Sequence, residues 1–181
     1  MATSDIHIRT FHLPFLQWLK NKGFSVTLVV EKRSDYQFEC VDEVIYLPFK
    51  RSPFKVENLK AFNALRKLIN ERRFHYVHCH TPVVSVLARA AVLLSKINPK
   101  VIYTAHGFHF YSGGPKLNYI LFYLVEWFMS HVTDKLITIN TEDFKLAHKK
   151  LNAKEVFQIP GMGVDDEKFY PDIQMRKKIR K

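Results

Sequence analysis

Glycine and cysteine are scarce in this chain, with 6 and 2 residues, and acidic side chains number 17 against 28 lysines and arginines. Nowhere do apolar residues run to the roughly 18 in a row that a membrane-spanning helix requires, so no such span is expected. The opening Met1-Ala-Thr-Ser-Asp5 offers neither a basic leader nor an apolar one, so secretion is not expected and a cytoplasmic location follows by default. Two cysteines, Cys40 and Cys79, are too few for a disulfide framework, and in that compartment both stay reduced. The shortage of glycine also counts against a glycine-rich phosphate loop. Ser112-Gly113-Gly114-Pro115 is too short for one and lies inside a connection. The deficit of acids leaves a net charge of +11, which points to an anionic partner: a phosphate-bearing substrate, an acidic lipid surface or nucleic acid. Part of that charge sits in the tail Arg176-Lys-Lys-Ile-Arg180-Lys181, for which a solvated helix face is the plainer reading.

What is present suits one packed α/β domain: 181 residues, 47% apolar and 14% aromatic. Phe24 to Val30, Val44 to Leu47, His75 to Cys79, Val101 to Ala105, Lys135 to Ile139 and Val156 to Ile159 read as buried strands. Ile8 to Lys22, Val56 to Arg72, Val83 to Ser95, Leu117 to His131 and Thr141 to Leu151 carry apolar residues three and four apart, as amphipathic helices do. The alternation predicts a Rossmann-like, doubly wound parallel sheet over residues 1–172, with 173–181 a basic tail or the start of a linker. Such a unit normally opens on a buried strand, whereas here Met1-Ala2-Thr3-Ser4 leads straight into a helix. The first strand is therefore expected to be clipped or missing, leaving unpaired backbone between Phe24–Val30 and His75–Cys79.

Ligands of open parallel sheets bind beyond the carboxyl ends of the strands, which directs attention to the residues that follow each strand. Those are Ser4-Asp5, His80-Thr81-Pro82, His106-Gly107-Phe108-His109, Asn140-Thr141-Glu142-Asp143 and Gly161-Met162-Gly163. Histidines at two successive strand ends are not needed by a core, and imidazole hydrogen-bonds hydroxyls or moves protons near neutral pH. Gly107 fits an exit that needs positive φ. His78 and His80 share a strand face, but no third ligand stands at diagnostic spacing, so no metal is expected. Asn140 to Asp143 reads first as a capped helix N-terminus and only second as a ligand site. The helix from Leu117, rich in Tyr119, Phe122, Tyr123, Trp127 and Phe128, reads as buried or interdomain, with peripheral membrane contact as the alternative.

Three segments carry a resemblance: Val101-Ile-Tyr-Thr-Ala-His-Gly-Phe-His-Phe-Tyr111, His78-Cys-His-Thr-Pro82 and Ile159-Pro-Gly-Met-Gly-Val-Asp-Asp-Glu-Lys-Phe-Tyr-Pro171. With Ile6-His-Ile-Arg-Thr-Phe-His-Leu-Pro14 and Leu47-Pro-Phe-Lys-Arg-Ser-Pro-Phe54, they resemble the N-terminal, acceptor-side domain of family 4 glycosyltransferases, in the bacterial capsular and exopolysaccharide branch. The resemblance implies one half of a GT-B fold. It further implies transfer of a sugar from a nucleotide-sugar donor, with retention and without a required metal or other cofactor, to a polyprenyl-diphosphate-linked saccharide at the inner face of the membrane. By it, His106 matches the cleft histidine that touches the transferring sugar, and Gly107 lets the loop approach. Ser4 and Asp5 match the loop near the donor phosphates, without the glycines usual there. Gly161 to Asp165 match the turn into the interdomain hinge, and His80, Thr81, His109 and Asn140 complete the expected substrate-binding rim. The family's donor domain, with its paired glutamates, has no counterpart in these residues, so this polypeptide alone is not expected to catalyse transfer. A donor half would be supplied in cis or in trans. The rival is a non-catalytic module or partner subunit using its basic surface. Nucleic acid is disfavoured as its ligand, because no recognition-helix or RNA-binding signature is present.

Overall fold

A computed structural model describes residues 1–110, 116–161, 163 and 172–180. The short glycine pair at 112–115 and the whole stretch from Val164 to Pro171 lie outside the described residues. In chain order the elements are α1 (Asp5–Phe11), α2 (Leu13–Asn21), β1 (Thr27–Val30), β2 (Glu43–Tyr46), α3 (Val56–Arg72), β3 (Tyr76–Cys79), α4 (Pro82–Leu93), β4 (Lys100–Ala105), α5 (Lys116–Ser130), β5 (Lys135–Thr138), α6 (Thr141–Lys150), β6 (Glu155–Gln158) and α7 (Ile173–Ile179). Every strand pairing is parallel, in a two-stranded sheet β1-β2 and a four-stranded sheet β3-β4-β5-β6. This is the doubly wound α/β class that alternating elements predict.

The place expected to be vacant is occupied. Met1 to Ser4 run extended between β1 and β3, with Ser4 in a parallel bridge to Glu31. Ala2 N–H donates to Val29 O at 3.3 Å, Glu31 N–H to Thr3 O at 3.3 Å and His80 N–H to Met1 O at 3.1 Å. The terminal ammonium donates to His78 O at 2.6 Å. The expectation of unpaired neighbours is thus corrected: four residues satisfy backbone groups on both sides of the seam.

A second correction concerns the first helix, expected as one piece from Ile8 to Lys22. It is two helices, broken at His12 (φ −122°, ψ −4°) ahead of Pro14. Proline has no N–H to donate back along a helix and its ring crowds the preceding turn, so α1 ends and α2 begins there.

Strand alternation divides the core. Val29, Val77, Cys79, Val101, Tyr103 and Ala105 pack with Leu65 and Ile69 of α3 and Val84 and Ala88 of α4. Leu28 and Val30 face the other way, against Ala2, Ile8 and Leu16. Each such buried aliphatic chain contributes roughly 1.5–3 kcal/mol of burial free energy. The side of the sheet that carries α1 and α2 is therefore the side toward which His78, His80 and His106 alternate.

α5 is apolar on both faces: Tyr119, Phe122, Tyr123 and Met129 turn to the core, together with one buried ion pair. Arg89 of α4, fully buried, reaches Glu126 of α5 through Nη1–Oε1 at 2.5 Å and Nη2–Oε2 at 3.1 Å. The same guanidinium donates to Ser85 O and Ser85 Oγ, both at 3.1 Å, and lies 4.4 Å above the Tyr103 ring. Burial opposes the charge on Arg89, but the Glu126 carboxylate more than offsets this and holds the guanidinium protonated. On the outer face Leu117, Ile120, Leu121, Leu124, Trp127 and Phe128 are exposed. No helix among the described residues is long and apolar enough to cross a membrane.

Candidate functional site

Five imidazoles converge where the α1–α2 break meets the ends of β3 and β4. His78 and His80 stand on one face, two residues apart, and their ring centroids are 4.2 Å from each other. His106 follows β4, with its ring 5.7 Å from His80. The helical break supplies the other two. His12 lies 4.0 Å from His80 and 5.7 Å from His106, while His7 lies 5.1 Å from His106. His7 and His12 meet through their Nε2 atoms at 3.2 Å, one donating and the other accepting according to tautomer.

His12 and His80 are buried and the other three rings half-buried, and this loss of water favours the neutral form. Burial pushes the imidazole of His12 down to about 3, with neighbouring His7 and His106 adding to the effect. His7 is pushed down to about 4 by burial, then by His106 and Arg51, and His78 to about 3 by burial above all. Burial also lowers His106 and holds His80 well below the ordinary histidine value. At neutral pH each ring then carries one donor and one acceptor, as hydroxyl recognition requires. Two ring nitrogens, His80 Nδ1 and His106 Nε2, are buried without a hydrogen-bond partner. Thr104 Oγ1 takes up His78 Nε2 at 2.9 Å, so that ring is already engaged.

The remaining candidates separate into those that build the rim and those that stand apart from it. Ser4 caps α1, its Oγ accepting from His7 N–H at 3.4 Å. Asp5 is fully buried, and its carboxylate accepts from Ile6 N–H, Arg33 N–H, Ser34 N–H and Ser34 Oγ. Burial disfavours its ionisation, but those hydrogen bonds prevail and hold it below the usual carboxylate range. Its oxygens are engaged by Ile6 and by the loop after β1. Thr81 Oγ1 ties β3 to the chain start, accepting from Thr3 N–H at 2.9 Å and meeting Thr3 Oγ1 at 2.6 Å. Gly107 takes φ +127° with open space at its Cβ position, matching the expected exit. His109 is exposed and rests on Phe122 of α5, with a centroid distance of 5.5 Å, away from the other rings. Asn140 caps α6, accepting from Asp143 N–H at 2.8 Å. Gly161 and Gly163 follow β6 with φ +102° and +74°.

Sequence reasoning passed over His7 and His12, and read Asp143 only as part of a capped helix start. Asp143 Oδ2 accepts from Phe108 N–H at 3.1 Å and from Asn140 Nδ2 at 2.8 Å, which clasps the loop carrying His106 and Gly107 to the start of α6. Pro14 was the available signal for the other two, since a helix broken just before it turns His7 and His12 toward the strand ends.

The sequence matches the Glycosyl transferase 4-like family over residues 2–140. It is 43% identical over 173 residues to EpsD of Bacillus subtilis (strain 168), which carries a provisional glycosyltransferase name; the match covers 94% of this chain and 45% of that protein. It is 28% identical over 171 residues to the UDP-Gal:alpha-D-GlcNAc-diphosphoundecaprenol alpha-1,3-galactosyltransferase of Escherichia coli, covering 92% of this chain and 44% of that one. The chain thus spans a little under half the length of these curated relatives. In fold it is similar to a sucrose-phosphate synthase chain from Thermosynechococcus elongatus, with TM-score 0.62 at 14% identity, covering 99% of this chain and 95% of the other.

Proposed function

The chain belongs to the Glycosyl transferase 4-like family, and from that premise we propose that it is the acceptor-side half of a retaining transferase, moving a sugar from a nucleotide-sugar onto a lipid-linked saccharide. The observation that carries this reading is the rim of uncharged imidazoles at the carboxyl ends of β3 and β4, where open sheets of this class take their ligands. His106 is the residue given direct contact with the reacting sugar. Its Nε2 has no protein partner, its ring is half-buried, and the positive φ of Gly107 turns the chain away so that a ligand can approach. A neutral imidazole there accepts from one sugar hydroxyl or donates to another, and shields the reacting centre from water. His80 and His7 flank it as further polar contacts, while Asp143 fixes its loop.

The E. coli relative's name specifies a diphosphoundecaprenol acceptor, and a net charge of +11 suits a diphosphate lipid in an anionic membrane surface. We assign the peripheral membrane contact to the outward apolar stripe of α5. The donor is given to a second Rossmann-like domain facing this one, with no metal required for transfer. The test is transfer by the chain joined to a donor domain, comparing wild type with His106→Ala. Turnover is expected to fall by about 100-fold or more, the scale on which removal of one positioned donor acts. Unchanged turnover would remove His106 from the role given to it.

A further inference from the structure

The imidazole rim has a capacity that sugar recognition does not call on. One ring nitrogen from each of His7, His12 and His106 lies within 4.8 Å of the other two. In four-coordinate zinc with nitrogen ligands at about 2.0–2.1 Å, neighbouring ligand atoms stand about 3.3 Å apart. The His7–His12 contact of 3.2 Å is already at that length. His7 and His106 are half-buried at the rim, and the remaining edges, none longer than 4.8 Å, would have to shorten on binding. An independent observation points the same way. His106 Nε2 and His80 Nδ1 are buried with no partner, and His80 is only 6% exposed with its ring 4.0 Å from His12. Buried polar atoms are normally satisfied, and a pair left open beside three converging nitrogens calls for an occupant.

We propose that His7, His12 and His106 form a binding site for a divalent transition metal of the zinc class, with the fourth position open. The donor set decides the class. Three neutral nitrogens without a carboxylate select zinc, cobalt, nickel or copper over magnesium and calcium, which prefer oxygen. Such an ion is not a cofactor for transfer. It takes up His106, so metal and sugar exclude one another at this rim. Binding itself needs no sugar, and the proposal stands or falls apart from the transfer reading.

The chain, stripped with chelator, is titrated with Co2+ and then with Zn2+. Saturable binding of one equivalent is expected, with the visible absorption of four-coordinate cobalt, bleached by Zn2+ and untouched by Mg2+. His7→Gln and His106→Gln should each weaken binding by more than about tenfold, since even outer-sphere changes cost 10–100-fold. His131→Gln, at an exposed ring beside Trp127, should leave it unchanged. Because His12 is deeply buried and its variants endanger folding, the wild type supplies the second measurement. In its imidazole nitrogen spectrum, Zn2+ should shift three of the nine histidines, including His12. Absence of stoichiometric binding, affinity indifferent to His7→Gln and His106→Gln, or shifts confined to exposed rings such as His131 would each overturn the site and leave a plain imidazole–imidazole hydrogen bond in its place.

Discussion

Replacing Arg89 by methionine should destabilise the protein far more than replacing both members of its ion pair. The guanidinium is wholly buried, is bidentate to Glu126 and sits over Tyr103, so removing it strands a carboxylate under α5. Breaking one partner of such a pair costs about 3–5 kcal/mol. A domain of this kind has a total stability of roughly 5–15 kcal/mol, so the loss is a large share of the whole. At about 2–4 °C per kcal/mol for a chain of this size, the midpoint of thermal unfolding should fall by roughly 6–20 °C. In Arg89→Met/Glu126→Leu no charge is left behind and apolar volume fills the space, so most of the loss should be recovered. Urea and thermal unfolding followed by circular dichroism, run as a double-mutant cycle, measure both effects. Two single variants that each lose less than about 1 kcal/mol, with effects that simply add, would refute the claim that this pair sets the inward face of α5.

Asp143→Ala should remove the acceptor for Phe108 N–H, costing about 1–3 kcal/mol and speeding amide hydrogen exchange at Phe108 while the centre of β4 stays protected. Leu121→Glu/Leu124→Glu, which places two charges on the exposed stripe of α5, should abolish co-sedimentation with anionic vesicles while leaving the circular dichroism spectrum unchanged. Equal sedimentation of variant and wild type would remove α5 from the membrane contact.

Much of the fold was legible because its signals are local. Six apolar runs and the intervening helical periodicities correspond one to one with β1 to β6 and with the helices between them, differing mainly at the ends. Phe24 to Val26, for instance, precede the strand that begins at Thr27. The rim was half legible. His80 and His106 could be found because strand ends are where ligands gather, whereas His7 and His12 could not. Read as one continuous helix, residues five apart fall on different faces, and only the break before Pro14 brings their rings together. Asp143 looked like an ordinary first-turn acid, and its second bond, to a loop 35 residues earlier, is tertiary information that no spacing carries. The bonds of Asp5 are equally hidden from spacing, since its carboxylate accepts from backbone N–H groups of residues 33 and 34, which follow β1.

The seam between the two sheets has a consequence for how the molecule gives way. Among the described residues, the backbone between β1 and β3 is paired only through residues 1–4, which belong to neither sheet's ladder, with two or three hydrogen bonds on each side. That line is the natural fault of the sheet, and the histidines straddle it, with His7 and His12 riding on one block and His80 and His106 on the other. A slip of even an ångström along the fault would alter the distances from His7 and His12 to His80 and His106 while leaving those within each block unchanged, so the cross-seam spacing of the imidazoles is a gauge of whether the two blocks are in register.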